Sequence, residues 1–135
     1  MTVSPESIDY THDDVACRGH LVVDRSTDAP RPGVVLFPDA RGMSNTAIEA
    51  ARRLAPHGYA VFVADLYGGA IFHADIPEAH RLMTALRSDV DRWRARAEAA
   101  LDVVAGLPVV DASKIAAIGY CFGGTTALEL GRSGA

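Results

Sequence analysis

The sequence predicts a single α/β domain over residues 1–135, with a mostly parallel sheet, flanking helices and an N-terminal antiparallel hairpin. Three observations predict this class. Residues 8–24 alternate apolar and polar side chains, as a half-buried hairpin does. Short continuous apolar runs follow, which are typical of strands covered on both faces. Stretches with a 3.6-residue apolar period separate these runs and indicate crossover helices.

The hairpin is predicted from two alternating segments, residues 8–12 and 15–24, around the turn residues Asp13 and Asp14. Cys17 shares one strand face with apolar residues of the second segment, because side chains on a strand repeat every two residues. We therefore expect Cys17 to be a small buried core residue rather than a reactive thiol.

The predicted parallel unit begins with the apolar strand 33–37 and ends with the apolar strand 59–64. Between them, Ser44 or Asn45 is expected to cap a helix that Gly58 stops. A strand, helix, strand unit of this kind crosses over with a right hand.

Two helices are predicted after the loop 66–76, and the second, over residues 90–104, has the apolar period of a surface helix packed on a sheet. A third buried strand is predicted over residues 114–118. A last helix, residues 125–131, completes the predicted elements.

Composition and charge exclude several classes of function. The chain has 49% apolar and 22% charged residues and a net charge of −4, with scattered basic residues, so nucleic acid is not an expected partner. No apolar run reaches the roughly 18 to 20 residues of a membrane span, and the first residues lack the pattern of a signal peptide. We therefore expect a cytoplasmic protein with no membrane partner.

No cofactor or metal is expected. The two cysteines, Cys17 and Cys121, show no CxxC or Cys/His spacing, which argues against a zinc site and a disulfide framework. The glycines near Cys121 lack a Walker A lysine and do not form G-x-G-x-x-G, which argues against a nucleotide.

The motif that carries chemistry is Gly119-Tyr-Cys-Phe-Gly123, which has the spacing of G-x-S-x-G with cysteine in place of serine. It lies between a predicted strand and a predicted helix, which is the context of a nucleophile elbow. The helix N-terminus favours the thiolate of Cys121 over the thiol. The backbone N–H of Phe122 is expected to face the oxyanion that forms during attack on a carbonyl.

The glycines of this motif have two interpretations. In an elbow, only glycine fits two residues before and after the nucleophile, at Gly119 and Gly123. In a purely structural interpretation, Gly119, Gly123 and Gly124 only let the strand and helix pack closely, and Cys121 is a small filler. The strand and helix context favours the elbow.

From about Tyr10 to Ala135 the chain resembles the dienelactone hydrolases of the α/β-hydrolase superfamily. Three segments carry the resemblance, RPGVVLFPDARG at 31–42, HGYAVFVADLY at 57–67 and KIAAIGYCFGG at 114–124. The resemblance implies an α/β-hydrolase-like fold. It also implies that Cys121 is the nucleophile of a Cys-His-Asp triad, which cleaves small lactones or esters through an acyl-enzyme.

The resemblance assigns further site residues. It implies that the backbone amides of Ala40 and Phe122 form the oxyanion hole. Asp39 falls where the family has a glutamate that contacts the resting thiol, and we therefore include Asp39 among the candidate catalytic residues. A simple turn role after Pro38 is the alternative for Asp39.

In this superfamily the triad acid and histidine follow the nucleophile along the chain, whereas this sequence ends one helix beyond Cys121. We therefore expect a sheet that is truncated after the nucleophile helix and has an open edge at 114–118. Four explanations stay open. The chain is a fragment of a longer protein, a second copy or a complementing chain covers the edge, the chain is a remnant without catalysis, or a histidine such as His73 or His80 replaces the missing base.

The function predicted from these observations is a cysteine-dependent hydrolase of small lactones or esters. The alternative is a catalytically inert homologue that associates with itself or with a partner through the open sheet edge.

Overall fold

A computed structural model describes residues 3–135 as a five-stranded sheet with helices on both faces, which confirms the predicted α/β class. The strands are β1 Glu6–His12, β2 Val15–Val22, β3 Arg31–Phe37, β4 Ala60–Val63 and β5 Val110–Gly119. The helices are α1 Asn45–Leu54, α2 Ile76–Arg87, α3 Val90–Ala105 and α4 Phe122–Arg132, and a 3-10 turn, Ala55–His57, follows α1. No helix in this described part of the chain has the length and apolar character of a membrane span.

The sheet is mixed, with the strand order β1-β2-β4-β3-β5. β3 pairs in parallel with β4 and with β5, whereas β2 pairs antiparallel with β1 and with β4. The parallel part therefore consists of β4, β3 and β5. The carboxyl ends of these three strands meet at one edge of the sheet, which is where open α/β sheets bind ligands.

The N-terminal hairpin has the predicted turn and the predicted buried cysteine. Asp13 and Asp14 have φ values of 48° and 61°, and two positive φ values are what a two-residue hairpin turn of type I′ requires. Cys17 on β2 is 2% exposed and belongs to the core.

β3 separates two layers of the core, because alternate side chains of a strand point to opposite faces. Val35 and Phe37 pack with buried residues of α3 and α4. Val34 and Leu36 pack with α1 on the other face. The loop that follows β3 is therefore supported by apolar packing on both sides of its strand.

The helix α1 begins and ends near the predicted residues. Ser44 is the N-cap, and its Oγ accepts a hydrogen bond from the backbone N–H of Ala47 at 3.2 Å. Gly58 adopts a φ of 94° after the 3-10 turn, and this left-handed conformation ends the helical segment.

The prediction that residues 114–118 form a strand buried on both faces is wrong. Lys114, Ala116 and Ala117 are exposed, although Ile115 packs on the core. Within residues 3–135, β5 has β3 as its one neighbouring strand and lies at the edge of the sheet. An apolar run predicts a strand, but burial depends on what flanks that strand. Among the described residues, β3 pairs with one edge of β5, and the other edge is the expected open edge of the sheet.

A buried carboxylate organises the loop after β4. Asp65 is 2% exposed, and each of its oxygens accepts two backbone N–H groups. Oδ1 accepts from Tyr67 at 3.3 Å and Gly68 at 3.0 Å, and Oδ2 accepts from Arg18 at 2.9 Å and Ala70 at 2.7 Å. Hydrogen bonds to a carboxylate are stronger than neutral ones, so Asp65 fixes this loop against β2.

A buried arginine connects α3 to the hairpin through a histidine. Arg96 is 3% exposed, and its Nε donates to Nδ1 of His12 at 2.7 Å while Nη1 donates to the Leu66 carbonyl at 2.8 Å. Nδ1 accepts a hydrogen bond only when it carries no proton, so His12 is neutral here. Burial and the charge of Arg96 hold the pKa of His12 below its ordinary value, against a smaller opposing effect of Asp13.

We expect acid to destabilise the fold through His12. Because the folded state lowers the His12 pKa, the unfolded chain binds more protons at low pH. The free energy of unfolding should therefore fall as the pH drops below about 6.5, the ordinary histidine value. His12→Asn keeps an acceptor close to the position of Nδ1 and does not titrate. Urea unfolding of both proteins between about pH 5 and pH 8 measures the effect.

The variant serves as the reference because burial also lowers the pKa of His20, which therefore contributes to acid destabilisation in both proteins. The difference between the two proteins isolates the contribution of His12. The difference in unfolding free energy between wild type and His12→Asn should change steadily below about pH 6.5. A difference that is constant across this range would contradict the assignment.

Candidate active site

Cys121 occupies a sharp turn between β5 and α4. Its φ of 57° and ψ of −119° are values that a residue other than glycine adopts only when its surroundings enforce them. α4 begins at the next residue, Phe122, so the strand passes directly into the helix. This is the geometry of a nucleophile elbow, in which the nucleophile projects above the sheet.

Two glycines make this turn sterically possible. A Cβ on Gly119 would lie 2.1 Å from the carbonyl carbon of Gly123, and a Cβ on Gly123 would lie 2.0 Å from the carbonyl oxygen of Phe37. Both obstacles are backbone atoms, which no change of rotamer moves. Gly124 is less restricted, since its Cβ would lie 3.3 Å from the Gly119 oxygen. The turn thus rests directly on the end of β3.

The thiol of Cys121 is accessible. Cys121 is an exposed free cysteine at the N-cap of α4. Its carbonyl accepts the backbone N–H of Thr125 at 3.1 Å, which continues the helical hydrogen bonding. Among the described residues, no hydrogen bond engages Sγ. A substrate can therefore reach the sulfur from solvent.

Hydrogen bonds fix both peptide groups that flank Ala40. The carbonyl of Asp39 accepts the N–H of Gly42 at 3.0 Å. In the next peptide, the Tyr67 hydroxyl donates to the Ala40 carbonyl at 2.8 Å, and the Arg41 N–H donates to Oδ1 of Asp39 at 2.9 Å. C=O and N–H of a trans peptide point in opposite directions, so the first bond also sets the direction of the Ala40 N–H. That N–H has no acceptor in the described part of the chain.

Phe122 stacks on two aromatic rings. Its ring stacks on Tyr67, with centroids 6.4 Å apart, and on Trp93, with centroids 5.6 Å apart. Trp93 Nε1 donates to Thr126 Oγ1 at 3.0 Å, and this hydroxyl donates to the Phe122 carbonyl at 2.9 Å. The backbone N–H of Phe122 finds no acceptor within residues 3–135. The residue after the cysteine is thus immobilised with its N–H available.

The structure brings these two N–H groups to the same edge of the sheet. Phe37 and Gly119 are partners in the register of β3 and β5, and Ala40 and Phe122 each follow three residues later. Tyr67 contacts both residues; it ends the segment 57–67 that carries the resemblance, but the sequence pattern assigns it no role. The described residues therefore leave two backbone N–H groups without acceptors at the sheet edge that carries the exposed Cys121.

Asp39 is paired with Arg41. Nη2 of Arg41 donates to Oδ2 of Asp39 at 2.9 Å. Burial raises the pKa of the Asp39 carboxyl, but the hydrogen bonds and charge of Arg41 outweigh burial and hold this pKa below its ordinary value. The ionised carboxylate shapes the turn after β3. It makes no hydrogen bond to the Cys121 thiol among the described residues.

Neither histidine considered as a replacement base is hydrogen bonded to Cys121. The backbone N–H of His73 donates to the Arg41 carbonyl at 2.9 Å, and His80 is exposed on α2. Within residues 3–135, no three His, Cys, Asp or Glu side chains are grouped closely enough to hold a metal ion.

Comparison with known proteins identifies the family. The sequence model of the dienelactone hydrolase family matches residues 19–135, a range that includes the loop after β3 and the whole elbow. The chain belongs to the dienelactone hydrolase family. The resemblance seen in the sequence is thereby confirmed. A comparison with functionally curated proteins gives no match.

Solved structures of dienelactone hydrolase-like proteins share this fold. The protein m3DLH is 46% identical, with a TM-score of 0.95, and a dienelactone hydrolase-like promiscuous phosphotriesterase from metagenomic libraries is 44% identical, with a TM-score of 0.96. Each match covers 100% of this chain and 56% of the other. A cold-adapted esterase from an Arctic intertidal metagenomic library shares the fold at 14% identity and a TM-score of 0.76, covering 96% of this chain and 56% of its own. This family member thus spans little more than half the length of these proteins.

We expect Gly123→Ala to destabilise this family member by at least about 3 kcal/mol, because its Cβ would collide with the Phe37 carbonyl. Gly131→Ala is the matched control, since its Cβ meets nothing within 4 Å in the same helix. Gly131→Ala should stabilise the folded chain by about 0.5–1 kcal/mol, because glycine inside a helix is less favourable than alanine. Urea unfolding of both variants gives the two free energies. Similar effects of the two substitutions would refute the steric account of the elbow.

Proposed function

We propose that this dienelactone hydrolase family member cleaves small lactones or esters, with Cys121 as the nucleophile of an acyl-enzyme. One observation carries the proposal. An exposed cysteine lies in a strained turn at a helix N-terminus, and the backbone N–H groups of Ala40 and Phe122, which have no acceptor among the described residues, lie at the same edge of the sheet. A thiolate, two oxyanion donors and access from solvent are what the first half of ester cleavage needs.

In the proposed reaction the Cys121 thiolate attacks the carbonyl carbon, and a C–S bond forms while the carbonyl π electrons move to oxygen. The N–H groups of Ala40 and Phe122 donate to this oxyanion. When the tetrahedral intermediate collapses, the C–O bond to the alcohol breaks and the alkoxide takes a proton from water. A thioester to Cys121 remains, and in a lactone the released alcohol stays attached to the acyl group.

Asp39 enters this proposal through the backbone. Its carboxylate binds the N–H and guanidinium of Arg41, and its carbonyl binds the N–H of Gly42. In the proposed site these bonds hold the Ala40 N–H in place to donate to the oxyanion. Because Arg41 keeps the pKa of Asp39 low, the arrangement persists at neutral pH.

Hydrolysis of the thioester requires a base that activates water. The resemblance places the family's aspartate and histidine after the nucleophile helix, and none of the histidines in residues 3–135 is hydrogen bonded to Cys121. We therefore propose that the 135-residue chain is acylated once and releases the acyl group slowly. The complete activity needs a base from another stretch of polypeptide.

The exposed side of β5 and α4 is the proposed position of that polypeptide. Ala116 and Ala117 on β5 are exposed, and Tyr120 and Leu128 are 52% and 62% exposed. The solved relatives are matched over 56% of their length, so each contains further chain that has no counterpart here. We propose that further polypeptide, either more of the same chain or a complementing chain, lies at this edge. The same exposed edge favours the second candidate, an inert homologue that pairs with a second copy of itself.

A reducing compartment such as the cytoplasm fits the proposed chemistry. An exposed thiol that is needed as a nucleophile must stay unoxidised, and both Cys17 and Cys121 are free cysteines.

Acylation by p-nitrophenyl acetate tests the nucleophile. We expect the folded chain to gain one acetyl group by intact-mass spectrometry, and Cys121→Ala to gain none. Cys17→Ala is the matched control and should react like the wild type, because Cys17 is buried. The acylation rate divided by the rate of alkylation with iodoacetamide should be at least about tenfold higher in the folded chain than in urea.

The ratio separates an assembled site from an ordinary exposed thiol, since alkylation depends on the thiolate but forms no oxyanion. An equal ratio in the folded and unfolded chain would refute the proposed oxyanion hole. Rapid multiple turnover by these 135 residues alone would refute the proposed need for a base from another stretch of polypeptide. An unreactive chain that sediments as a dimer would favour the inert homologue.

A further inference from the structure

Tyr67 makes a contact with each of the two residues that supply the proposed oxyanion donors. Its hydroxyl donates to the Ala40 carbonyl at 2.8 Å. Its ring lies nearly parallel to that of Phe122, at an angle of 9°. Ala40 follows β3 and Phe122 begins α4, so one side chain from the loop after β4 joins two separate elements.

The position of Tyr67 is itself fixed. Its backbone N–H donates to Oδ1 of Asp65, whose carboxylate also holds Gly68 and Ala70 of the same loop. Burial, and to a smaller degree the charge of Asp39, raise the pKa of the Tyr67 hydroxyl, so this group remains a proton donor. The hydroxyl therefore keeps its proton at neutral pH and can donate it to the Ala40 carbonyl.

We propose that Tyr67 is a positioning residue of the oxyanion hole, which holds the Ala40–Arg41 peptide in place beside Phe122 and so supports the Ala40 N–H that the bond between Asp39 and Gly42 directs. The inference rests on the proposed function and adds a residue to it. Two donors stabilise one oxyanion only when both lie about 2.7–3.1 Å from it. Donors on two independent loops meet this condition when a third group holds the loops together, and Tyr67 is placed to do so.

The contacts divide into two separable contributions. The hydroxyl restrains the Ala40–Arg41 peptide, while the ring stacks on Phe122, as the ring of Trp93 also does. Tyr67→Phe removes the first contribution and keeps the second. Tyr67→Leu removes both, because leucine has neither a hydroxyl nor a ring.

Acylation of the full 135-residue chain by p-nitrophenyl acetate, measured beside alkylation by iodoacetamide, tests the proposal. In Tyr67→Phe we expect acylation to slow about tenfold, less than the roughly 100- to 1,000-fold loss when an oxyanion donor is deleted. Alkylation of Cys121 should be unchanged, because that reaction develops no oxyanion. In Tyr67→Leu the ratio of acylation to alkylation should fall further.

Tyr10→Phe is the matched control. The Tyr10 hydroxyl also bonds to backbone, at 3.1 and 3.3 Å from the N and O atoms of Asp65, but it bonds to neither Ala40 nor Phe122. This variant should lose stability and keep the wild-type ratio of acylation to alkylation. Thermal unfolding of each variant shows that the rates refer to folded protein.

Three outcomes would overturn the inference. The first is an unchanged ratio in both Tyr67 variants, and the second is a ratio that falls equally in Tyr10→Phe. The third is an equal loss of acylation and alkylation, which would mean that Tyr67 only maintains access to the thiol. Failure of the proposed function would give a different result. The folded wild type would then have the same ratio of acylation to alkylation as the chain in urea.

Discussion

The contact between Gly123 and the end of β3 is the constraint on which the candidate site depends. The backbone of Gly123 lies so close to the carbonyl of Phe37 that no side chain fits between them. Contact between two backbones is rigid, because no side chain can change rotamer to relieve it. Since α4 begins at Phe122, this contact fixes the start of α4, with Cys121 and Phe122, relative to the end of β3, and Tyr67 adds a link to the loop beyond it.

The site is assembled from the ends of three strands that are neighbours in the sheet and distant in the chain. Each strand end has its own support. The Asp39 carboxylate holds the turn after β3, and the Asp65 carboxylate accepts the N–H of Tyr67 in the loop after β4. After β5, the ring of Trp93 stacks on Phe122. Holding Cys121 in an unfavourable backbone conformation costs of the order of 1–3 kcal/mol. Separate anchors on each loop provide the interactions that keep this conformation in place.

Local patterns predict those parts of the structure that local interactions decide. The turn at Asp13 and Asp14, the cap at Ser44 and the spacing of the elbow each depend on residues a few positions apart. The exposure of β5 could not be predicted in this way, since the same apolar run forms a strand with one neighbour or with two. The bond between Tyr67 and Ala40 joins residues 27 positions apart, and no periodicity or motif encodes such a contact.

Lys114 lies in the middle of β5, is exposed, and is the only lysine of the sequence. An edge strand offers unpaired backbone groups to any other extended chain, which makes it a starting point for aggregation. A charged side chain opposes that process, because stacking strands from many copies would desolvate the ammonium groups and bring like charges together. β5 therefore carries its own protection against fibrous self-pairing at the edge where the sheet is open.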